Sequence, residues 1–520
     1  LGGSGPDGED PKDAGLGGDD SETAADAGID ATDDTQSSPV EVELPSPPEA
    51  RPLELVWAKA STPGDKGVIT RHARVLASGE LLVLAQFAGE VSFDGQTIQA
   101  PDDGVPHTLL ARVTPDGEVA QFAHVCDGCG GAVGEAPDGR LGIGGVATTV
   151  VGNPGKDSEL VDAADEVGLV ITVLGPDGQV EAIRRVGVGY GSIEAVEPTP
   201  DGGWLLAGSS SDLIFEDRTQ VKPPEGTFYP GHAFVAKLRA DLSVQWVEPI
   251  NGTAGSSVAM VRPLGDGFVA VGDFGGYPLG ATAVFAGAPP QVLEAASADD
   301  DPAFDLFVAS YQGPGDVVFA RRVQHYTNGP RTPTWMELHE GGVRLRLDGA
   351  GEVEVKDGEY YCGYGESGVS LALDFSADGD LTEAIRLPYG ALQWPATLNF
   401  ASLAMPWEKL VRIGQAPNSL EFEVPTAPDA SIGALLWSHW TSTGDLGRAG
   451  QLLFSVPDDF SNPALHAVSA LADGSALVYL NGSAPITLGV GGASPAIFDA
   501  KGYERMMFMK LRFGAAPKRP

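Results

Sequence analysis

The sequence predicts an all-β protein, specifically a seven-bladed β-propeller, and three observations predict it. The first is recurrence: a two-part phrase of short apolar runs and turns returns seven times, at intervals of roughly 60 to 70 residues. The second is composition. The 70 Gly and 40 Pro among 520 residues exceed ordinary usage, yet they fall between apolar runs rather than replacing them, as turns in a β protein do. The third is a split copy. MFMKLRFG from Met507 lacks a continuation, and LELVWAKAS from Leu53 supplies it. A ring needs one blade made from both chain ends, because an open ring exposes two sheet edges.

The strands follow in order. Second strands are read in ELLVLAQFAGEVSF from Glu80, RLGIGGVATTV from Arg140, GWLLAGSSSDLIF from Gly203 and GFVAVGDFGG from Gly267. They continue as GVRLRLDGAGEVEV from Gly342, KLVRIGQAPNSLEF from Lys409 and SALVYLNGSAPITL from Ser475. Third strands lead through a turn into the fourth in HTLLARVTPDGEVAQF from His107, GLVITVLGPDGQVEAI from Gly168, AFVAKLRADLSVQWV from Ala233 and LFVASYQGPGDVVFA from Leu306. VSLALDFSADGDLTEA from Val369 and GALLWSHWTSTGDLGRA from Gly433 complete this set with the split copy. Innermost strands are shorter and rich in small residues, because blades converge on the axis. Their exceptions are Glu135, Glu194, Glu197 and Arg262.

These units resemble the SBBP family, a seven-bladed bacterial propeller repeat. HAFVAKLRADLSVQW fits its Asp-Ala-Phe-Val-Ala-Lys-Leu and Gly-x-x-x-Trp pattern almost position by position, and VGDFGG from Val271 fits well. From Trp335 to Gln451 the match is by pattern only. The resemblance implies an exported or surface-exposed protein and specifies architecture rather than chemistry.

Three segments are expected: an acidic, disordered stem over 1–50, the propeller over 51–514 and a short tail over 515–520. The stem holds many acids and almost no large apolar side chains, so it cannot offset its ordering entropy. Its composition resembles the start of processed bacterial lipoproteins, which implies a lipid anchor upstream of Leu1; an ordinary secreted tail is the alternative. The net charge of −40 repels phosphate backbones, so nucleic acid is a poor partner. No apolar run reaches the length of a membrane-spanning helix.

Cys126 and Cys129 in HVCDGCGG form the sharpest local motif. A zinc site needs further Cys or His at suitable spacing, and only His124 is near. In an exported protein a disulfide is the default reading, with Cys362 unpaired. Long loops on one face carry the candidate binding residues Tyr229, His232, Asp300, Asp301, Asp305, Tyr361 and Tyr364. Asp299, Asp300, Asp301 and Asp305 lack the spacing of a calcium loop, so a solvated charge run is the first reading and Ca2+ the weaker one. No metal ligand set is assigned and no other cofactor is expected. The sequence holds no G-x-S-x-G, H-E-x-x-H, P-loop or dinucleotide fingerprint. The expectation is therefore a monomeric, non-catalytic binding or scaffold module at the bacterial cell surface, with a protein or carbohydrate ligand. The alternative is a secreted hydrolase or lyase at the top of the central channel, which convergent His, Arg and carboxylates on innermost strands would favour.

Overall fold

One hairpin chemistry recurs along the chain and sets its meander. At Leu76–Glu80, Thr114–Glu118, Ala136–Arg140, Gly175–Gln179, Thr199–Gly203, Ser376–Asp380 and Leu471–Ser475, the N–H of the fourth residue bonds back to the first carbonyl. That fourth residue is Gly at φ between +76° and +87°, the left-handed position of a type I turn with a bulge. Asp138, Asp177, Asp201 and Asp473 each accept the N–H two residues on, so these acids are turn locks.

The computed structural model describes residues 49–514 except 64–66, 102–106, 128–130, 148–166, 223–230, 254, 276–280, 296–303, 327–332, 340–341, 350–351, 355–359, 362–368, 389–398, 405–409, 416–417, 424–430, 441–445, 457–463, 484, 489–495 and 499–503. They belong to the unit Ser46–Pro520; Leu1–Pro45 forms a unit of its own. Every described element is a strand, which establishes the all-β class.

Among the described residues, seven antiparallel meanders follow one another. The first runs Val68–Val75, Leu81–Phe87, His107–Val113, Val119–Asp127, each paired with the next. The second uses Ala132–Glu135, Leu141–Ala147, Gly168–Leu174 and the start of Val180–Pro198, whose far end opens the third with Trp204–Phe215, His232–Leu238 and Val244–Pro249. The fourth is Gly255–Leu264, Gly267–Gly275, Phe304–Gly313, Asp316–Tyr326, and the fifth is Pro333–His339, Gly342–Gly349, Val369–Phe375, Leu381–Pro388. Asn399–Ala404, Ser431–Trp440 and Leu446–Val456 make the sixth. The seventh runs Ala464–Ala470, Ser475–Gly482, Arg505–Phe513 and then Leu53–Ala60 from the other end of the chain. Leu53 faces Phe513 and Ala60 faces Met507, so the split copy is one sheet.

Two expectations need correction. In the sixth meander the strand read from Lys409 is not the second strand. Leu410–Gln415 pairs only with Asn418–Glu423 as a separate hairpin, and Asn399–Ala404 pairs directly with Ser431–Trp440. The two halves of the run KLVRIGQAPNSLEF pair with each other, Leu410 facing Glu423 and Gln415 facing Asn418. The second and third meanders also share one unbroken strand, Val180–Pro198. Its Gly189 sits at φ +124°, where a Cβ would lie 2.0 Å from the Asp212 carbonyl oxygen; glycine lets the strand run from one meander into the next within a single sheet.

Alternate residues of each sheet bury against different neighbours. Leu81, Val83 and Ala85 join a core with Leu477, Tyr479 and Phe508 of the seventh meander, while Leu82 and Leu84 join Val133, Leu141 and Ile143 of the second. Phe268 and Ala270 face the third meander, and Val269 and Val271 face the fifth. Met507 and Met509 face the sixth, and Phe508 faces the first. Both faces are dry, which is why these strands read as continuous apolar runs rather than alternating ones.

Outer strands also latch onto the next meander's turn. Trp57 covers Gly117, Gln121 Nε2 donates to the Gly178 carbonyl at 3.1 Å, and Arg321 Nε donates to the Gly379 carbonyl at 3.1 Å. Glu248 accepts the Gly315 N–H at 2.7 Å.

Candidate functional site

First strands meet one another. The first strand of the seventh meander lies against that of the first, followed in turn by the second, third, fourth and fifth, while that of the sixth lies against the seventh. Five of these strands carry an extra, unpaired residue at a β-bulge: Arg71, Glu194, Ala259, Thr334 and His466. A bulge re-aims side chains out of the ladder. Here the bulged Glu194, Ala259 and His466 line a cavity of about 380 Å³, together with residues from six of the seven first strands. That volume is within the range of small-molecule sites.

Its polar groups are His72, Arg74, Glu194, Glu197, Arg262 and His466. Glu197 is caged by two guanidiniums: Arg74 Nη1 lies 3.2 Å from its Oε1, and Arg262 Nη1 contacts the same oxygen. Arg74 Nη1 also donates to the Val133 carbonyl at 3.2 Å, tying the first meander to the second. Burial first, and then Arg74 and Arg262, hold the His72 imidazole down at about 4. Burial lowers His466 as well, and its ring lies 5.6 Å from that of the fully buried Tyr479. The Tyr479 hydroxyl shares a 2.5 Å hydrogen bond with Thr70 Oγ1, bracing the strand that carries His72. At neutral pH both cavity imidazoles are uncharged, and the guanidiniums are its only cations among the described residues. Among the described residues no hydrogen bond joins a cavity imidazole to a hydroxyl or carboxylate.

Of the innermost-strand exceptions read from sequence, Glu194, Glu197 and Arg262 come together in this cavity. Glu135 does not; its Oε2 accepts the Ala77 N–H at 2.7 Å between meanders. His72, Arg74 and His466 were not singled out by the sequence reading. The signal existed in TRHARV, where three basic side chains interrupt an innermost strand expected to be small.

The loop candidates fall differently. His232 and Asp305 are buried, 2% and 0% exposed, at the starts of third strands. Burial lowers the His232 imidazole. Tyr361 pairs with Val353 in a short ribbon extending from Gln324–Tyr326. Tyr229, Asp300, Asp301 and Tyr364 lie outside the described residues. Cys126 is fully buried and does not titrate as a thiol because it is disulfide-bonded; Cys129 and Cys362 lie outside the described residues, so its partner is not defined. His124 Nε2 donates to the Cys126 carbonyl at 3.2 Å and packs edge-on to Phe87. Among the described residues no three His, Cys, Asp or Glu side chains gather as metal ligands, and no helix is long and apolar enough to cross a membrane.

No family model matches the chain, and no curated protein matches it. Among solved structures it is similar to the extracellular domain of a proposed one-component system from B. thetaiotaomicron. That match has 8% identity and a TM-score of 0.16, and covers 90% of this chain and 84% of the other. The extracellular domain of a proposed hybrid two-component system from the same organism gives 7% identity and a TM-score of 0.18, with the same coverage.

Proposed function

We propose that this chain is an exported, non-catalytic seven-bladed β-propeller that serves as a surface binding or scaffold module, with its ligand seated in the central cavity. The observation that carries the reading is the convergence of six first strands on one small pocket, three of them placing a bulged residue in its wall. Bulges cost ladder hydrogen bonds, and side chains re-aimed together into one pocket are the arrangement a binding site requires. Support for the propeller comes from the seven meanders, the order in which first strands meet, and the sheet shared by the two chain ends. Motifs such as HAFVAKL support grouping it with the SBBP-type repeats. A disulfide at Cys126 supports an oxidising compartment. The segment 1–50 is read as an acidic stem.

The second reading, a hydrolase or lyase, is favoured by the same His, Arg and Glu convergence. It is weakened by Glu197, whose Oε1 is shared between the Arg74 and Arg262 guanidiniums. The test is a plug: Ala259→Phe fills the cavity from its bulge. Thermal shift with small acids, amines and sugars should find a ligand that raises the midpoint of the parent and not of the plugged protein. A ligand that stabilises both equally places binding elsewhere, and turnover of any panel member, lost on plugging, establishes the enzyme.

A further inference from the structure

The guanidiniums in the cavity hold more donors than the protein satisfies. Arg262 contacts only Glu197 among the described residues, through Nη1, which leaves Nε and Nη2 unused. Arg74 spends Nη1 on both Val133 and Glu197, so its Nε and Nη2 are unused as well. Each guanidinium carries five N–H donors in a fixed fork that matches a carboxylate. One Glu197 oxygen shared between two forks leaves room for a second carboxylate. His72 and His466 add two neutral imidazoles at the same wall, each with one ring N–H to donate. Glu194, an exposed acceptor, lines the cavity with no hydrogen bond of its own among the described residues. In a chain of net charge −40, two arginines on innermost strands balance the formal charge of Glu194 and Glu197 in this cavity.

We propose that the cavity binds a small hydroxy-carboxylate, its carboxylate on the free edges of Arg74 and Arg262 and a hydroxyl donating to Glu194. This deepens the binding-module reading and rests on it. Glu197 then acts as an internal competitor that holds the two forks in place and weakens the site when nothing is bound. Phosphate is the weaker fit, because a doubly charged anion meets Glu194 and Glu197 together.

The experiment is calorimetric titration of the full chain at neutral pH with lactate and gluconate, each beside its amide, and with inorganic phosphate. At least one carboxylate should saturate one site, with the matching amide at least ~10-fold weaker, since a charge-assisted pair is lost. Arg262→Gln should weaken the carboxylate about 10-fold, whereas the exposed Arg512→Gln should leave it unchanged. Glu197→Gln should tighten it, by about 3-fold or more, because both guanidiniums are released. That gain cannot come from a damaged fold. Acid and amide binding equally well and both lost in Ala259→Phe would overturn the carboxylate assignment while leaving the cavity as the binding site. Phosphate binding more tightly than either acid would also overturn it. No saturation by either acid, or Glu197→Gln weakening the site, would overturn it too.

Discussion

Glu248 is the most consequential single residue outside the cavity. It is 4% exposed and accepts a hydrogen bond from the Gly315 N–H. Burial pushes its carboxyl up from the usual 4.5 to about 7, and the buried Tyr311 hydroxyl is raised by burial and by this same acid. A carboxyl raised in the folded state binds protons that the unfolded chain has released. Stability is therefore fully present below pH 4.5 and is lost as pH rises through 7, by about 3 kcal/mol in all. Glu248→Gln should abolish that slope and leave the protein more stable at pH 8, as read by urea midpoints across pH. A wild-type midpoint that climbs between pH 5 and 8, unchanged by the substitution, would contradict the assignment. Cys126 is the other residue with a clear outcome. Non-reducing peptide mapping should show it bonded to Cys129, with Cys362 carrying a free thiol. A Cys126–Cys362 peptide would reverse the pairing. The sequence exposed the cysteine motif and three of the six cavity groups. It hid His72, Arg74 and His466, because a histidine or arginine on an innermost strand looks the same whether a bulge turns it inward or a neighbouring sheet covers it.

At the scale of elements, the hairpin turns and the latches on them hold the meanders in register with each other. Gly117 shows how tightly. Its φ is +87°, and a Cβ there would stand 2.9 Å from the Trp57 ring carried by the outer strand of the preceding meander. Gly117→Ala therefore meets backbone strain and a rigid indole together, and should cost about 2 kcal/mol. Gly95→Ala is the contrasting case, with a similar φ of +79° and nothing within 4 Å; it should cost about half as much. Equal losses in urea denaturation would mean that Trp57 does not bear on the turn. Turns of this kind were legible because Asp-Gly at the required positions has a chemical reason. The sixth meander was not, because Lys409 to Phe422 has the apolar run of a core strand and pairs with itself. Apolar content alone does not say which partner a strand takes.

For the whole molecule, the chain ends decide the architecture. Leu53–Ala60 lies along Arg505–Phe513, Leu53 is 6% exposed in the core shared by the sixth and seventh meanders, and Trp57 covers the first meander's turn. One short strand thus joins the last sheet to both of its neighbours, and the cavity depends on those neighbours staying in place, since His466 and His72 reach it from opposite sides of that junction. This link was readable from the sequence because two fragments, at opposite ends of the chain, each lacked what the other carried. The direct test compares thermal unfolding of the full chain with truncations lacking residues 1–45 and residues 1–62. Ring closure by Leu53–Ala60 predicts an unchanged midpoint for the first truncation and a fall on the order of 10 °C or more for the second, with a less cooperative transition. Equal midpoints for the two truncations would contradict it.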